Sequence, residues 1–303
     1  MLLLSGYHAA SHRYWSDQLT SGLPEYDWTV ISLPDRHFYW RIRSNALTFT
    51  MQHADTLQQH YDLIVATSMV DLCNLRGLSP QLASIPAVLY FHENQFAYPE
   101  RKAHGNLVNA QLTSLYSAIS AQHLLFNSRF NHDSFYAGVE SLAAKMPDGL
   151  PQGFPGQLLK SVAVIPVPVD DSRLNLPAIR RHIKTGQSVE IVWNLRWECD
   201  KQPQIFFSAI AKLIDHGVDV KLHVMGQSFR EVPACFTDFK NRYNNNVQTW
   251  GFQSQDKYWQ ILQQAQLVVS AALHDFQGLG MLEGIMAGCT CLLYTSPSPR
   301  DRG

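Results

Sequence analysis

Residues 274–290 read HDFQGLGMLEGIMAGCT. Two acids, Asp275 and Glu283, stand eight positions apart, with Gly278 and Gly280 between them and a helical apolar pattern starting directly after. A glycine turn that opens a helix gathers backbone N–H groups where the helix dipole favours an anion. Gly278 and Gly280, with Leu279 between them, let the main chain approach a phosphate closely. Glu283 is expected in the first helical turn, where its carboxylate can accept two ribose hydroxyls. Asp275, ahead of the loop, can bind hydroxyls of whatever the phosphate carries.

Outward from this stretch, apolar strands alternate with helical segments. "MLLLSG", "DWTVISLP" (27–34), "YDLIVATS" (61–68), "PAVLYFHE" (86–93) and "QHLLFNS" (122–128) read as strands, while "SHRYWSDQLTSGL" (11–23) and "NAQLTSLYSAISA" (109–121) read as helices. "SVAVIPVPVDDS" (161–172) is broken by proline and ends in acids, which reads as a domain connection. The pattern then restarts with the strand "SVEIVWNLR" (188–196) and the helix "QIFFSAIAKLIDHG" (204–217), capped by Gly217. "DVKLHVMGQ" (219–227), "VQTWGF" (247–252) and "AQLVVSAAL" (265–273) are three more strands. Such alternation implies βαβ units and parallel sheets. The expected fold class is α/β with two Rossmann-like domains, 1–168 and 169–290.

Composition sets the outer limits. At 303 residues, 46% hydrophobic and 16% charged, the chain reads as globular with a sizeable core. A formal net charge of −1 gives no global basic field for nucleic acid, although a local patch remains open. "MLLLSG" lacks the basic start and length of a signal peptide, and no apolar run is long enough to span a membrane. Cys73, Cys199, Cys235, Cys289 and Cys291 contain no CxxC pair, which fits a reduced cytoplasm better than a disulfide or zinc framework. No GxGxxG follows the first strand, which disfavours a nicotinamide oxidoreductase. Residues 291–303, "CLLYTSPSPRDRG", change character abruptly and resemble the translation of a sequencing-library adapter. They are expected to be a non-native tail that leaves the second domain truncated.

In parallel sheets, ligands bind outside the carboxyl ends of the strands, so the polar residues there matter most. Arg196 and Lys201, in "NLRWECDK" after one strand, supply two cations suited to a diphosphate. Each feature alone has a plainer reading: a glycine turn, an acid facing a helix dipole, a solvated cation. Together they describe a site for a nucleotide-diphosphate sugar.

Asp275 through Glu283 resembles the acid-x7-acid signature of retaining glycosyltransferases of the two-Rossmann (GT-B) type, glycosyltransferase family 4. Arg196 and Lys201 match that family's Arg-x4-Lys pair. The family's first acid is commonly Glu, and Asp275 has a shorter reach. "SHRYW" (11–15), "DRHFYWRIRSNAL" (35–47), "LYFHENQFAYP" (89–99), "FNSRFNHDSF" (126–135) and "WNLRWECDKQP" (193–203) sharpen the likeness to the tRNA-queuosine α-mannosyltransferase group. The resemblance implies GDP-mannose as donor, the queuosine nucleoside of a tRNA-Asp anticodon as acceptor, no cofactor, no metal, and no obligate protein partner. It also gives His92 the place of the histidine that contacts the donor sugar near the anomeric carbon.

On the acceptor side, Glu93 and Asn94 are adjacent polar candidates. Ser11 and His12 lie in the first strand-to-helix loop, where Ser11 serves equally well as a helix N-cap. "RHFYWRIR" (36–43) interleaves Arg36, Arg41 and Arg43 with Phe38, Tyr39 and Trp40. Cations for phosphates with rings for unstacked bases is RNA-loop chemistry. The alternative for this segment is an edge strand with exposed arginines and buried rings. Two other functions stay open: transfer to a lipid or glycan acceptor, and a non-catalytic RNA-binding module, which would not need the acid-x7-acid loop.

Overall fold

The computed structural model describes residues 1–97, 107–147, 154, 156, 161–170, 186–228 and 231–294. The chain divides into two compact units, Met1–Pro168 and Val169–Gly303.

The first unit runs β1 (Leu2–Ser5), α1 (Ala10–Gly22), β2 (Thr29–Ser32), α2 (Phe38–Gln52), the single turn α3 (Ala54–Leu57), β3 (Ile64–Thr67) and α4 (Leu72–Leu78). It continues with β4 (Ala87–Phe91), α5 (Leu107–Ser120), β5 (His123–Phe126), α6 (Arg129–Ala143) and β6 (Val162–Val164). Its six strands pair in the order β2-β1-β3-β4-β5-β6, all parallel. β1 and β3 are buried at every residue, as expected of parallel strands covered on both faces. Leu2, Leu4, Ile64, Leu89, Phe91 and Phe126 lie at the centre of the core.

The second unit runs β7 (Val189–Trp193), α7 (Pro203–Asp215), β8 (Val220–Met225), α8 (Cys235–Arg242), β9 (Val247–Gly251), α9 (Gln255–Gln264), β10 (Leu267–Ser270), α10 (Leu279–Met286) and β11 (Thr290–Leu293). Its strands pair in parallel in the order β11-β10-β7-β8-β9. α7 packs Phe206, Phe207 and Ile210 inward. It ends as expected on Gly217, whose φ of 82° lets its N–H reach Ile214 O at 2.9 Å while Val218 N–H reaches Leu213 O at 3.0 Å.

The strand order places the sites. From β7 the chain steps through β8 to β9 on one side, then returns to set β10 on the other side of β7. In the first sheet the same reversal falls between β1 and β3. The crevice outside the carboxyl ends of strands at such a reversal is where open α/β sheets bind ligands.

Two local expectations differ from the structure. "SVAVIPVPVDDS" is not connection throughout, because Val162–Val164 form β6 beside β5 before the chain turns irregular. "RHFYWRIR" is not an edge strand. It starts α2, because Ile42, Asn45, Ala46 and Phe49 recur at helical spacing and are buried, a period that begins at the far end of the quoted segment. Of the tail, Cys291–Leu293 complete β11 in register with Val268–Ser270, while 295–303 lie outside the described residues. Among the described residues, no helix is long and apolar enough to cross a membrane.

Candidate functional site

At the reversal point of the second sheet, the loops after β7 and β10 are tied together. Leaving β7, the chain makes a 3-10 turn at Cys199–Lys201, then passes through Gln202 at φ 52° before Pro203 opens α7. Lys201 is buried, and its Nζ donates to Asp275 Oδ1 at 2.7 Å and to His274 O at 3.2 Å. Asp200 Oδ2 lies 3.5 Å from the same ammonium. The backbone adds a stitch, Leu273 N–H to Asp200 O at 2.9 Å. Arg196 is half-exposed, with Nη2 3.4 Å from Glu198 Oε2. His274 feels both cations. Burial lowers its pKa first, the charges of Lys201 and Arg196 lower it further, and Asp200 and Asp275 oppose them.

The two glycines have separate tasks. Gly278 caps α10 at φ 74°, a left-handed conformation that glycine adopts without a Cβ clash. Gly280 gives up its side chain to a neighbour: a Cβ there would lie 2.9 Å from Asn194 Nδ2. The close approach that Gly280 allows is made here by the Asn194 amide. Leu279 is the first residue of α10, where N–H groups lack helical acceptors.

Glu283, expected in the first turn, is the fifth helical residue, because the helix starts only after Gly278. Its Oε2 accepts a short hydrogen bond from Tyr258 OH, and Asn194 Nδ2 donates to that phenol oxygen at 2.8 Å and to Gly280 O at 2.9 Å. Burial raises the pKa of Glu283, and the Tyr258 hydrogen bond pulls it partly back. Burial, then the Glu283 charge, pushes the Tyr258 phenol well above its usual range.

In the first unit, His92 directly follows β4. It is buried, stacks on His12 with centroids 4.1 Å apart, and meets Trp15 and Tyr90 edge-on at 4.9 and 4.8 Å. Burial, then the His12 charge, lowers its pKa well below the ordinary histidine value, so the ring is neutral. Asn127 Nδ2 holds the His92 carbonyl at 2.8 Å, while His92 Nε2 has no hydrogen-bond partner among the described residues. His12 Nε2 sits 3.3 Å from Glu93 Oε2. His12 and Glu93 therefore join His92 in one cluster.

Asn94 stands apart from that cluster. Fully buried, its amide donates to Asn131 and Ser134, and its oxygen accepts from Phe96 and Ala97 N–H at 2.9 and 3.1 Å. That full set of bonds makes Asn94 a pin for its own loop. Ser11 is the second residue of α1 and exposed; the N-cap is Ala9, without a side-chain cap.

The arginine–aromatic segment splits by position along the start of α2 and the turn before it. Trp40 is 78% exposed, Arg36 is exposed and Arg41 is half-buried. Arg43 turns to the protein: its Nη1 donates to Thr113 Oγ1 at 2.8 Å and lies 3.7 Å from the buried carboxylate of Asp71.

Known proteins match both halves of the chain. A family model described as "tRNA-queuosine alpha-mannosyltransferase N-terminal" matches residues 1–169. A Drosophila melanogaster protein named tRNA-queuosine alpha-mannosyltransferase is 30% identical over 301 residues, covering 95% of this chain and 78% of the relative. The chain belongs to the tRNA-queuosine alpha-mannosyltransferase family. Membership makes it a glycosyltransferase. Solved structures share its fold at low identity. One from E. coli, described as trehalose-6-phosphate bound with UDP-2-fluoro glucose, matches with TM-score 0.61 at 11% identity over 96% of this chain and 83% of that one. HepE from Anabaena, in complex with UDP and glucose, matches with TM-score 0.59 at 14% identity over 96% and 79%. The fold is thus the α/β, two-Rossmann GT-B type.

For this member of the mannosyltransferase family, the structure adds two residues that motif reading passed over, Asn194 and Tyr258. Asn194 carried a usable signal, as the first polar residue after β7. Tyr258 carried none: it lies within "QDKYWQIL" of α9, a run with the period of an ordinary surface helix.

Proposed function

We propose that this protein transfers mannose from GDP-mannose to the queuosine nucleoside of a tRNA, with retention of anomeric configuration. The reading rests on one observation: Lys201, Asp275 and the Gly278–Glu283 stretch converge at the strand-order reversal of the second sheet. Family membership and the name of the Drosophila relative support mannosyl transfer and the queuosine acceptor; GDP as the carrier is what the motif resemblance implies.

In this reading, Lys201 and Arg196 neutralise the diphosphate as it leaves, and the N–H groups at the head of α10 add fixed partial charge. Asp275 binds sugar hydroxyls and orients Lys201. Glu283 accepts from the ribose. The C1–O bond to the diphosphate breaks, the acceptor oxygen bonds C1 on the same face, and its proton passes to the departing phosphate oxygen. Two protein cations serve the charge that a divalent ion serves in other transferases, so neither metal nor cofactor is invoked.

His92 contributes a neutral imidazole to a sugar hydroxyl near the anomeric carbon, consistent with its buried ring and open Nε2. Trp40, with Arg36 and Arg41, contacts the tRNA by stacking and phosphate pairing. The five cysteines, free in the structure, fit a reducing cytoplasm.

The test is a donor screen with queuosine-containing tRNA and labelled GDP-mannose, UDP-glucose and UDP-galactose. Label from GDP-mannose alone should enter the tRNA. Label from a uridine donor would overturn the donor, and transfer to tRNA lacking queuosine would overturn the acceptor.

A further inference from the structure

The Glu283 carboxylate is held by a chain of hydrogen bonds built from three separate elements. Asn194 comes from the end of β7, Tyr258 from α9 and Glu283 from α10. The direction of the chain is fixed by chemistry. An ionised carboxylate only accepts, so Tyr258 must donate its proton to Oε2. The phenol oxygen then accepts from Asn194 Nδ2 at 2.8 Å. The Asn194 amide cannot be turned over, because its other N–H meets the Gly280 carbonyl at 2.9 Å and an oxygen there would face an oxygen. Gly280 in turn leaves the room that Asn194 fills. One oxygen of Glu283 is thereby pinned, and among the described residues no hydrogen bond holds the other.

Resting on the reading of Glu283 as the ribose acceptor, we infer that Tyr258 is a positioning residue for the donor. With Asn194 it sets the Glu283 carboxylate at the head of α10 so that the free lone pairs meet the ribose hydroxyls. Choice of a ribose-bearing nucleotide over its deoxy counterpart depends on this phenol, which lies outside the acid loop. Tyr258→Phe keeps the ring and its edge-on contact with Trp259 and removes only the oxygen.

The experiment compares binding of GDP and 2′-deoxy-GDP by calorimetry across a pH series. The proteins are the parent, Tyr258→Phe, Glu283→Gln and the double variant, each with a melting curve. The parent should favour GDP by about tenfold, the order of one hydrogen bond to a charged group. Glu283→Gln should abolish the preference. Tyr258→Phe should cut it several-fold, and the acid limb of GDP binding should move to higher pH, because Glu283 loses the bond that holds its pKa down. On the Glu283→Gln background the phenylalanine should add nothing. Asn194→Ala, one bond further back, should weaken the preference in the same direction with the phenol in place.

If Glu283→Gln keeps the ribose preference, the ribose-acceptor reading fails and the inference with it. If Glu283→Gln loses it while Tyr258→Phe and Asn194→Ala keep the parent's preference and pH profile, only the inference fails. A lowered melting temperature with both binding properties unchanged would assign Tyr258 to structure alone.

Discussion

Replacing Lys201 by alanine tests the second-sheet site at its most connected point. The side chain is 6% exposed and serves Asp275 at 2.7 Å, Asp200 at 3.5 Å and the His274 carbonyl at 3.2 Å. Removing it leaves two carboxylates facing a gap, and Asp200 is only 9% exposed. Breaking a fully buried ion pair costs about 3–5 kcal/mol. Asp275 is 31% exposed, so water recovers part of its solvation, and about 2–3 kcal/mol is the reasonable expectation. At roughly 3 °C per kcal/mol for a chain of this class, the melting temperature should fall by about 6–9 °C. Asp275→Asn should cost less, since the amide oxygen still accepts from Nζ and Asp200 still balances the charge. The double variant should be more stable than the sum of the two losses, by about 1 kcal/mol or more. Donor affinity reports the other role: Lys201→Ala should also lose about 1.5–3 kcal/mol of GDP binding. Thermal melts and calorimetry on all three variants give both numbers. A melting temperature within a degree of the parent, with additive variants, would refute the buried-pair reasoning. Unchanged GDP affinity would refute the diphosphate assignment.

Glu283 and His92 give opposite pH signatures of stability. Glu283 has a raised pKa in the fold, so the folded state holds the proton more tightly, and its contribution is lost as pH rises from about 4.3 through the folded value. Glu283→Gln should flatten that part of a urea-stability profile. His92 has a lowered pKa, so stability falls as pH drops below about 6.5, where only the unfolded chain takes up the proton; His92→Gln should reduce this slope in the same denaturation series. Trp40→Ala should leave the melting temperature unchanged and weaken tRNA binding by about 1–3 kcal/mol, whereas Arg43→Ala should lower the melting temperature because Asp71 loses its cation. Gly280→Ala should cost about 1–3 kcal/mol through displacement of Asn194, and Gly278→Ala about 1–2 kcal/mol through its left-handed backbone, a comparison that chemical denaturation resolves.

Some of this was legible without coordinates. The apolar strands, the amphipathic α7 and its glycine cap are local signals, each contained within one element, and the structure places them where the periodicity says. That Lys201 would lie near the acid loop was legible as well, since the carboxyl ends of parallel strands all lie on one edge of their sheet. Family motifs sharpened the function because they too are contiguous.

What tertiary structure decided is which side chains meet across sequence. Tyr258 reaches Glu283 over 25 positions, Asn194 reaches Tyr258 over 64, and His12 reaches Glu93 over 81. No window of the sequence spans such pairs, because their proximity comes from the order in which parallel strands are laid into a sheet. Partner choice was decided the same way. Arg36, Arg41 and Arg43 look alike in the sequence, yet Arg43, though still half-exposed, reaches Asp71 and Thr113, while Trp40 is left to solvent. Asn94 and His92 are two residues apart, and packing against α6 consumes one amide while the other ring keeps an open nitrogen. Sequence carries periodicity and chemistry; the fold alone assigns partners, and partners decide whether a polar group holds the structure or is left for a ligand.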